Sequence, residues 1–183
     1  MPATTYPDAP GIKELVLGKD QDNIGGFATV ELISPGPRGP EVRQRIKTYL
    51  VTERHAGHNL VVNSGKVQLW RLAMGLQSNL FDQFRIGTSA AAAASGDTNV
   101  LSPVGGGPVT ADAMTVLAGT RTAQWQVSYP SGIGSLSAAN IQEVVILNQN
   151  TSPGGSCMMR ALFAPLSKTL ADKLAITYNS RIA

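Results

Sequence analysis

The residues best suited to chemistry form several small groups, and each lacks something a working site needs. His55 and His58 stand three apart in "ERHAGHN", with Glu53 nearby. That spacing suits two metal ligands, but a catalytic zinc needs a third protein ligand and a structural zinc needs four. The chain has no other histidine, and its single cysteine, Cys157, is remote in sequence. A polar loop after a strand accounts for these residues better than a metal does. Asp20, Asp22, Gly25 and Glu31 fall on the first, third, sixth and twelfth positions of a calcium-binding loop. Ile24 takes the fifth, where an oxygen is required, and no helix pattern flanks the segment. A Gly-Gly turn entering a strand explains it.

Gly105-Gly106-Gly107 has the composition of a phosphate cradle without the Gly-Lys-Ser/Thr or the helix that would complete one. Cys157 opens a strand beside Met158 and Met159, the setting of a small core residue rather than an activated thiolate. There is no Gly-x-Ser-x-Gly elbow and no suggestive Ser, His and Asp arrangement. Glu143 lies on a strand without an evident acidic partner, so the carboxylate pair of glycoside hydrolysis is missing. Asp172 and Lys173 read as an ordinary solvated turn. Neither catalysis nor a cofactor is expected.

The elements that hold these residues point to a sheet protein. With 183 residues, 43% hydrophobic and 15% charged, the chain suits one globular domain with a sizeable core. Its 19 glycines and 11 prolines lie in many small clusters, so structured runs are short. The net charge of +3 is modest and the basic residues are scattered, giving no support to nucleic-acid binding. A lone cysteine rules out an intramolecular disulfide and fits a reducing cytosol. The start, "MPATTYPDAPGIKE", has no basic patch before an apolar core, so a signal peptide is not expected. Nor does any apolar stretch approach the ~18 residues of a membrane span. The sequon at Asn150 is expected to be idle.

Strands are expected at "GFATVELIS", "RIKTYLVT", "DQFRIGT", "TRTAQWQVSYP", "NIQEVVILN", "CMMRALFA" and "LAITYNSRI", with turns between them. In the first, Ala28, Val30 and Leu32 share one face, and Thr29, Glu31 and Ser34 are assigned to the other. One amphipathic helix is expected at about 64–78, capped by Asn63 or Ser64, with Val67, Trp70, Ala73, Met74 and Leu76 covering a sheet. Gly75 should weaken its last turn. The expected fold is mainly β, an antiparallel sandwich of jelly-roll or Ig-like type at residues 26–183. Its core would take in Val30, Leu32, Leu50, Trp70, Met74, Ile86, Trp125, Val127, Val145, Phe163 and Ile176. Residues 1–25, with Pro2, Pro7 and Pro10, form an extended arm whose apolar anchors are Ile12, Leu15, Val16 and Leu17.

One stretch, "FRIGTSAAAAASGDTNVLSPV", sets five alanines between turn signals. Five residues are far short of the ~12–15 an isolated helix needs. A connection between strands is expected, able to serve either as a plain surface loop or as a contact with a neighbouring subunit.

The order of these segments resembles that of a virion protein of tailed bacteriophages. The matching residues are Ile86-Gly87-Thr88, Gly96-Asp97-Thr98, Ile141 and Glu143, Arg160, Phe163, Pro165, Lys168-Thr169 and Ile176-Thr177, spread over residues 59–182. Ser89 stands where that group has a second glycine, and "EVVILN" lacks the Gly-Leu-Phe that follows its glutamate. The resemblance implies a structural component of a virion, assembled in the cytoplasm of the host bacterium. It would be a capsid decoration or cement protein, or a tail or neck appendage. Its partners would be identical subunits, a closed trimer being the first guess, and other phage capsid or tail proteins. The arm anchors would dock on an identical subunit. The contrasting expectation is a carbohydrate-binding module for host attachment, which needs exposed aromatics. Only 5% of residues are aromatic, and Trp70 and Trp125 both fall on faces expected to be buried.

Overall fold

The computed structural model describes residues 24–36, 38–50, 59–76, 78–105, 107–120, 122–132, 136–148 and 156–182. Their strands are β1 (Ile24–Gly36), β2 (Gly39–Leu50), β3 (Asn59–Val61), β4 (Gln83–Gly87), β5 (Val109–Thr110), β6 (Ala113–Leu117), β7 (Thr122–Tyr129), β8 (Ala138–Leu147), β9 (Cys157–Lys168) and β10 (Lys173–Ile182). Among the described residues one α-helix, α1 (Asn63–Ala73), follows β3, and a single 3-10 turn, Ala118–Thr120, joins β6 to β7. The strands form two five-stranded sheets, in the orders β2-β1-β10-β7-β6 and β3-β9-β8-β4-β5. Every named pairing is antiparallel. The chain is therefore mainly β with one helix.

Alternation places the core. In the first sheet Val30 lies across from Ile176, which lies across from Val127, so three β-branched side chains form one row on one face. In the second sheet Phe84 pairs with Ile146 and Ile86 with Val144, again on one face. Both rows belong to one buried cluster. Trp125 is partly buried at its border, with its indole N–H donating to the Phe81 carbonyl at 2.8 Å and its ring tilted 5.4 Å from that of Tyr178. Val30, Leu32, Ile86, Val127, Phe163 and Ile176 are buried as their periodicity requires, and Val145 is buried on the opposite face of its sheet. The side chain of Leu50 lies outside the described residues, as do residues 1–23, the Glu53, His55 and His58 cluster, and the sequon.

The helix corrects the sequence reading. Trp70 and Met74, placed in the core by apolar spacing, are 72% and 66% exposed, and Val67 and Leu76 are exposed with them. The inward stripe is instead Gly65, Leu69 and Leu72. Gly65 packs on the β9 backbone so closely that a Cβ there would meet the Met158 carbonyl oxygen at 2.3 Å. A glycine contributes nothing to an apolar pattern, so the spacing favoured the opposite face. The caps differ too. Val62 occupies the N-cap without a side-chain bond, and Ser64 Oγ donates to the Cys157 carbonyl at 3.0 Å. At the other end Gly75, at φ +69°, does not weaken the helix but terminates it. Its N–H reaches the Leu72 carbonyl and that of Leu76 reaches Arg71, the paired bonds of a Schellman motif.

Ser34 is also buried, on the face of Val30 and Leu32, where its hydroxyl donates to Asp172. The short strands β3, β5 and β6 are not anticipated by the sequence reading.

These faces predict a contrast in denaturant unfolding. Ile176→Ala should cost about 2–5 kcal/mol, while Trp70→Ser should stay within about 0.5 kcal/mol. A large loss at Trp70 would show that something covers it.

Candidate functional site

The outer face of the second sheet is not left to solvent. Gly87, Glu143, Val145 and Arg160 share this face through their cross-strand pairings, and the connection from Thr88 to Val104 folds over them. Val100 seats this loop in a second buried cluster with Val62, Val145, Leu147 and Cys157. Residues 143–147 of β8 are consequently buried without alternation. An antiparallel strand covered on both faces reads as a continuous apolar run.

A carboxylate organises the polar part. Glu143, fully buried, accepts from the backbone N–H groups of Ser89 at 3.1 Å and Ser102 at 3.0 Å on one oxygen. Its other oxygen accepts from the Leu101 N–H at 3.2 Å and from Arg160 Nε at 2.8 Å. Arg160, equally buried, extends Nη1 to the Ala92 carbonyl at 3.1 Å and to Asp97 Oδ2 at 3.2 Å. That same Asp97 oxygen accepts from the Ala94 N–H at 2.8 Å, while the Asp97 N–H donates to the Ala94 carbonyl at 3.0 Å. Gly87 is required beneath them, because a Cβ there would lie 2.3 Å from Glu143 Oε1 and 2.5 Å from the Ser102 carbonyl oxygen.

Gly87, Asp97, Glu143 and Arg160, each read from the sequence as part of a separate short motif, thus meet in one network. The partner of Glu143 is an arginine. With four donors filling its lone pairs, the carboxylate holds a loop and is not placed to move a proton. The alanine stretch is accordingly a fixed cover, with Ala93 buried and Ala90, Ala91, Ala92 and Ala94 exposed.

A second cluster secures the turn between β9 and β10. Asp172, expected to be solvated, is buried. It accepts from Ser34 Oγ and from the Thr169 N–H and hydroxyl at 2.8 and 2.7 Å. Lys168 Nζ donates to the Leu136 carbonyl at 2.7 Å and the Thr169 carbonyl at 3.3 Å. Burial pulls the Lys168 pKa down, and Asp172 pushes it back up. Sequence reading missed Asp172 because a short polar turn looks alike whether or not a neighbouring strand roofs it.

The other candidates resolve simply. Cys157 is buried, donates to the Met159 carbonyl at 3.1 Å, and has its thiol pKa pushed up by burial. Gly105 and Gly107 line a cleft of about 450 Å³ with Arg85, Tyr129 and Leu136, where the Tyr129 hydroxyl is engaged with the Phe84 carbonyl. Among the described residues, no group of three His, Cys, Asp or Glu is placed to hold a metal, and no helix is long and apolar enough to cross a membrane. The exposed apolar surface is more conspicuous. Val67, Trp70 and Met74 line the outer side of α1, and Met114, Val116 and Leu117 stand out from β6.

Comparisons with protein-family models, with curated proteins and with solved structures find no match to this chain.

Two outcomes follow. Arg160→Met strands a buried carboxylate and should cost about 3–5 kcal/mol in urea unfolding. Adding Glu143→Leu should not restore stability, because the N–H groups of Ser89, Leu101 and Ser102 then lose their acceptor. Full recovery in the double variant would show that only the ion pair matters. Cys157 should react with a thiol reagent only at the rate of unfolding, and rapid labelling of the native protein would contradict this placement.

Proposed function

We propose that this chain is a structural component of a tailed-phage virion, acting as a capsid decoration or cement protein through its surfaces. The observation that carries the reading is the apolar stripe of Val67, Trp70 and Met74, turned outward on a helix whose other side is fixed to β9. Apolar side chains grouped this way on a rigid frame suit a protein partner. We read the two sheets, which contribute to one core, as the layers of a β-sandwich. Further support comes from the ordered motifs of the resemblance, of whose charged members Asp97, Glu143 and Arg160 are spent on bracing a loop. The proposed partners are identical subunits, in a closed trimer, and other capsid or tail proteins, in a virion assembled in the host cytoplasm.

The exposure of Trp70 favours one second reading, a carbohydrate-binding module in which the indole stacks on a sugar. Its neighbours Val67 and Met74 offer no hydrogen bonds to hydroxyl groups, so the stripe fits a protein surface better.

The test is composition of the particle. Density-purified virions of the encoding phage should contain the chain at a constant copy number that matches a symmetric set of sites. Trp70→Asp with Met74→Asp should abolish incorporation while leaving the fold intact by circular dichroism. Absence of the chain from purified particles would reject the proposal.

A further inference from the structure

Two groups of exposed apolar side chains on this molecule carry opposite charges. The first is the outer stripe of α1. Val67, Trp70 and Met74 are each more than half exposed, and Arg71 is exposed among them. Residues 63–76 include Lys66 and Arg71 and no acidic residue. Positions spaced by three, four and seven are those by which a helix docks on an apolar partner surface. The chain's own core cannot take this stripe, because Gly65 and Ser64 fix the other side of the helix to β9.

The second group is a shelf formed by β6. Met114 pairs with Trp125 and Val116 with Ala123, so both share a face with Trp125 and Val127. That face is turned toward the core, where Val127 is buried. Met114 and Val116 are nonetheless 46% and 76% exposed. At β6 the first sheet therefore extends past its cover. The segment before β4 lies beside this shelf, since the Trp125 indole donates to the Phe81 carbonyl and the Ala111 N–H to the Asp82 carbonyl at 2.7 Å. Residues 78–84 and 109–117 include Asp82 and Asp112 and no basic residue. Asp112 is exposed, as is Leu80.

The two surfaces match in spacing as well as in sign. Trp70 and Met74, four residues apart on a helix, stand about 6 Å apart along its axis. Met114 and Val116, two apart on a strand, stand about 7 Å apart. Pairing like with like is worse. Two α1 stripes together would oppose arginines, two shelves would oppose aspartates, and like charges set face to face are costly.

We propose that the α1 stripe of one copy docks on the β6 shelf of a second copy. Trp70 and Met74 lie against Met114 and Val116, and Arg71 lies beside Asp112. Because the two surfaces are unlike, the contact runs head to tail and repeats from copy to copy until it closes in a ring. This rests on the reading of the stripe as a protein contact, and it names the partner.

The test uses the purified chain, away from any particle. Light scattering should find an oligomer whose mass falls with dilution and with added salt. Arg71→Glu alone and Asp112→Arg alone should each weaken association by about tenfold, with circular dichroism unchanged. The double variant, Arg71→Glu with Asp112→Arg, should restore it. Val116→Ser should weaken it too, without any change of charge. A chain that stays monomeric at every concentration would overturn the proposal, as would a double variant no better than the singles. If charge reversal leaves the mass unchanged while Trp70→Asp with Met74→Asp still keeps the chain out of particles, the stripe serves a different capsid protein. That result overturns this pairing and leaves the proposed function standing.

Discussion

The constraint on which the rest depends is the burial of one negative charge. A carboxylate taken out of water needs nearly all of its lone pairs filled, and the effective penalty otherwise is several kcal/mol. Glu143 meets that requirement with one guanidinium and three backbone N–H groups, and the three amides all belong to the segment between Ser89 and Ser102. The loop covers the second sheet because the charge demands donors that only the loop supplies. Arg160 is held in turn by the Ala92 carbonyl and Asp97. The two strands and the loop are thereby three parts of one closed circuit of bonds.

That circuit explains an otherwise odd distribution of side chains. A sheet covered on both faces needs apolar residues on both, and β8 and the start of β9 supply them from Val144 to Leu147 and from Cys157 to Met159. The first sheet differs on the face turned away from the core. Its outer positions carry Gln124, Gln126 and Asn179, two of which are bonded side chain to side chain across β7 and β10 at 2.8 Å. The two sheets of this molecule therefore follow different rules of composition within the same antiparallel topology.

Much of the β architecture was legible because alternation is a local signal. Val127 and Tyr129 in β7, or Leu174, Ile176 and Tyr178 in β10, mark their buried face without reference to anything distant. The helix was legible in existence but not in orientation. Its inward stripe begins with Gly65, chosen for closeness to a backbone and invisible to any hydrophobic pattern. The network around Glu143 was legible only as isolated fragments, since Gly87, Asp97, Glu143 and Arg160 are separated by up to 73 positions and no spacing rule links them. The strand β6 escaped notice for another reason. Five residues ending beside a glycine-containing turn carry too little periodicity to stand out from a loop.

The closed circuit has a bearing on how the covering loop comes into place. Any arrangement in which only some of its amides reached Glu143 would leave a charge enclosed with its hydration removed and its replacement incomplete. Such an intermediate costs more than either the seated or the fully detached loop. The loop therefore behaves as a catch with two positions. Its seating is coupled to the pairing of β8 with β9, because Arg160 reaches Glu143 only when those strands are in register. Small exposed residues such as Ala90 and Ala91 can then vary in the span between the fastenings, while the fastenings themselves cannot. The low-complexity stretch is a strap fastened at Ala92 and Ala94, and its buckle is one buried carboxylate.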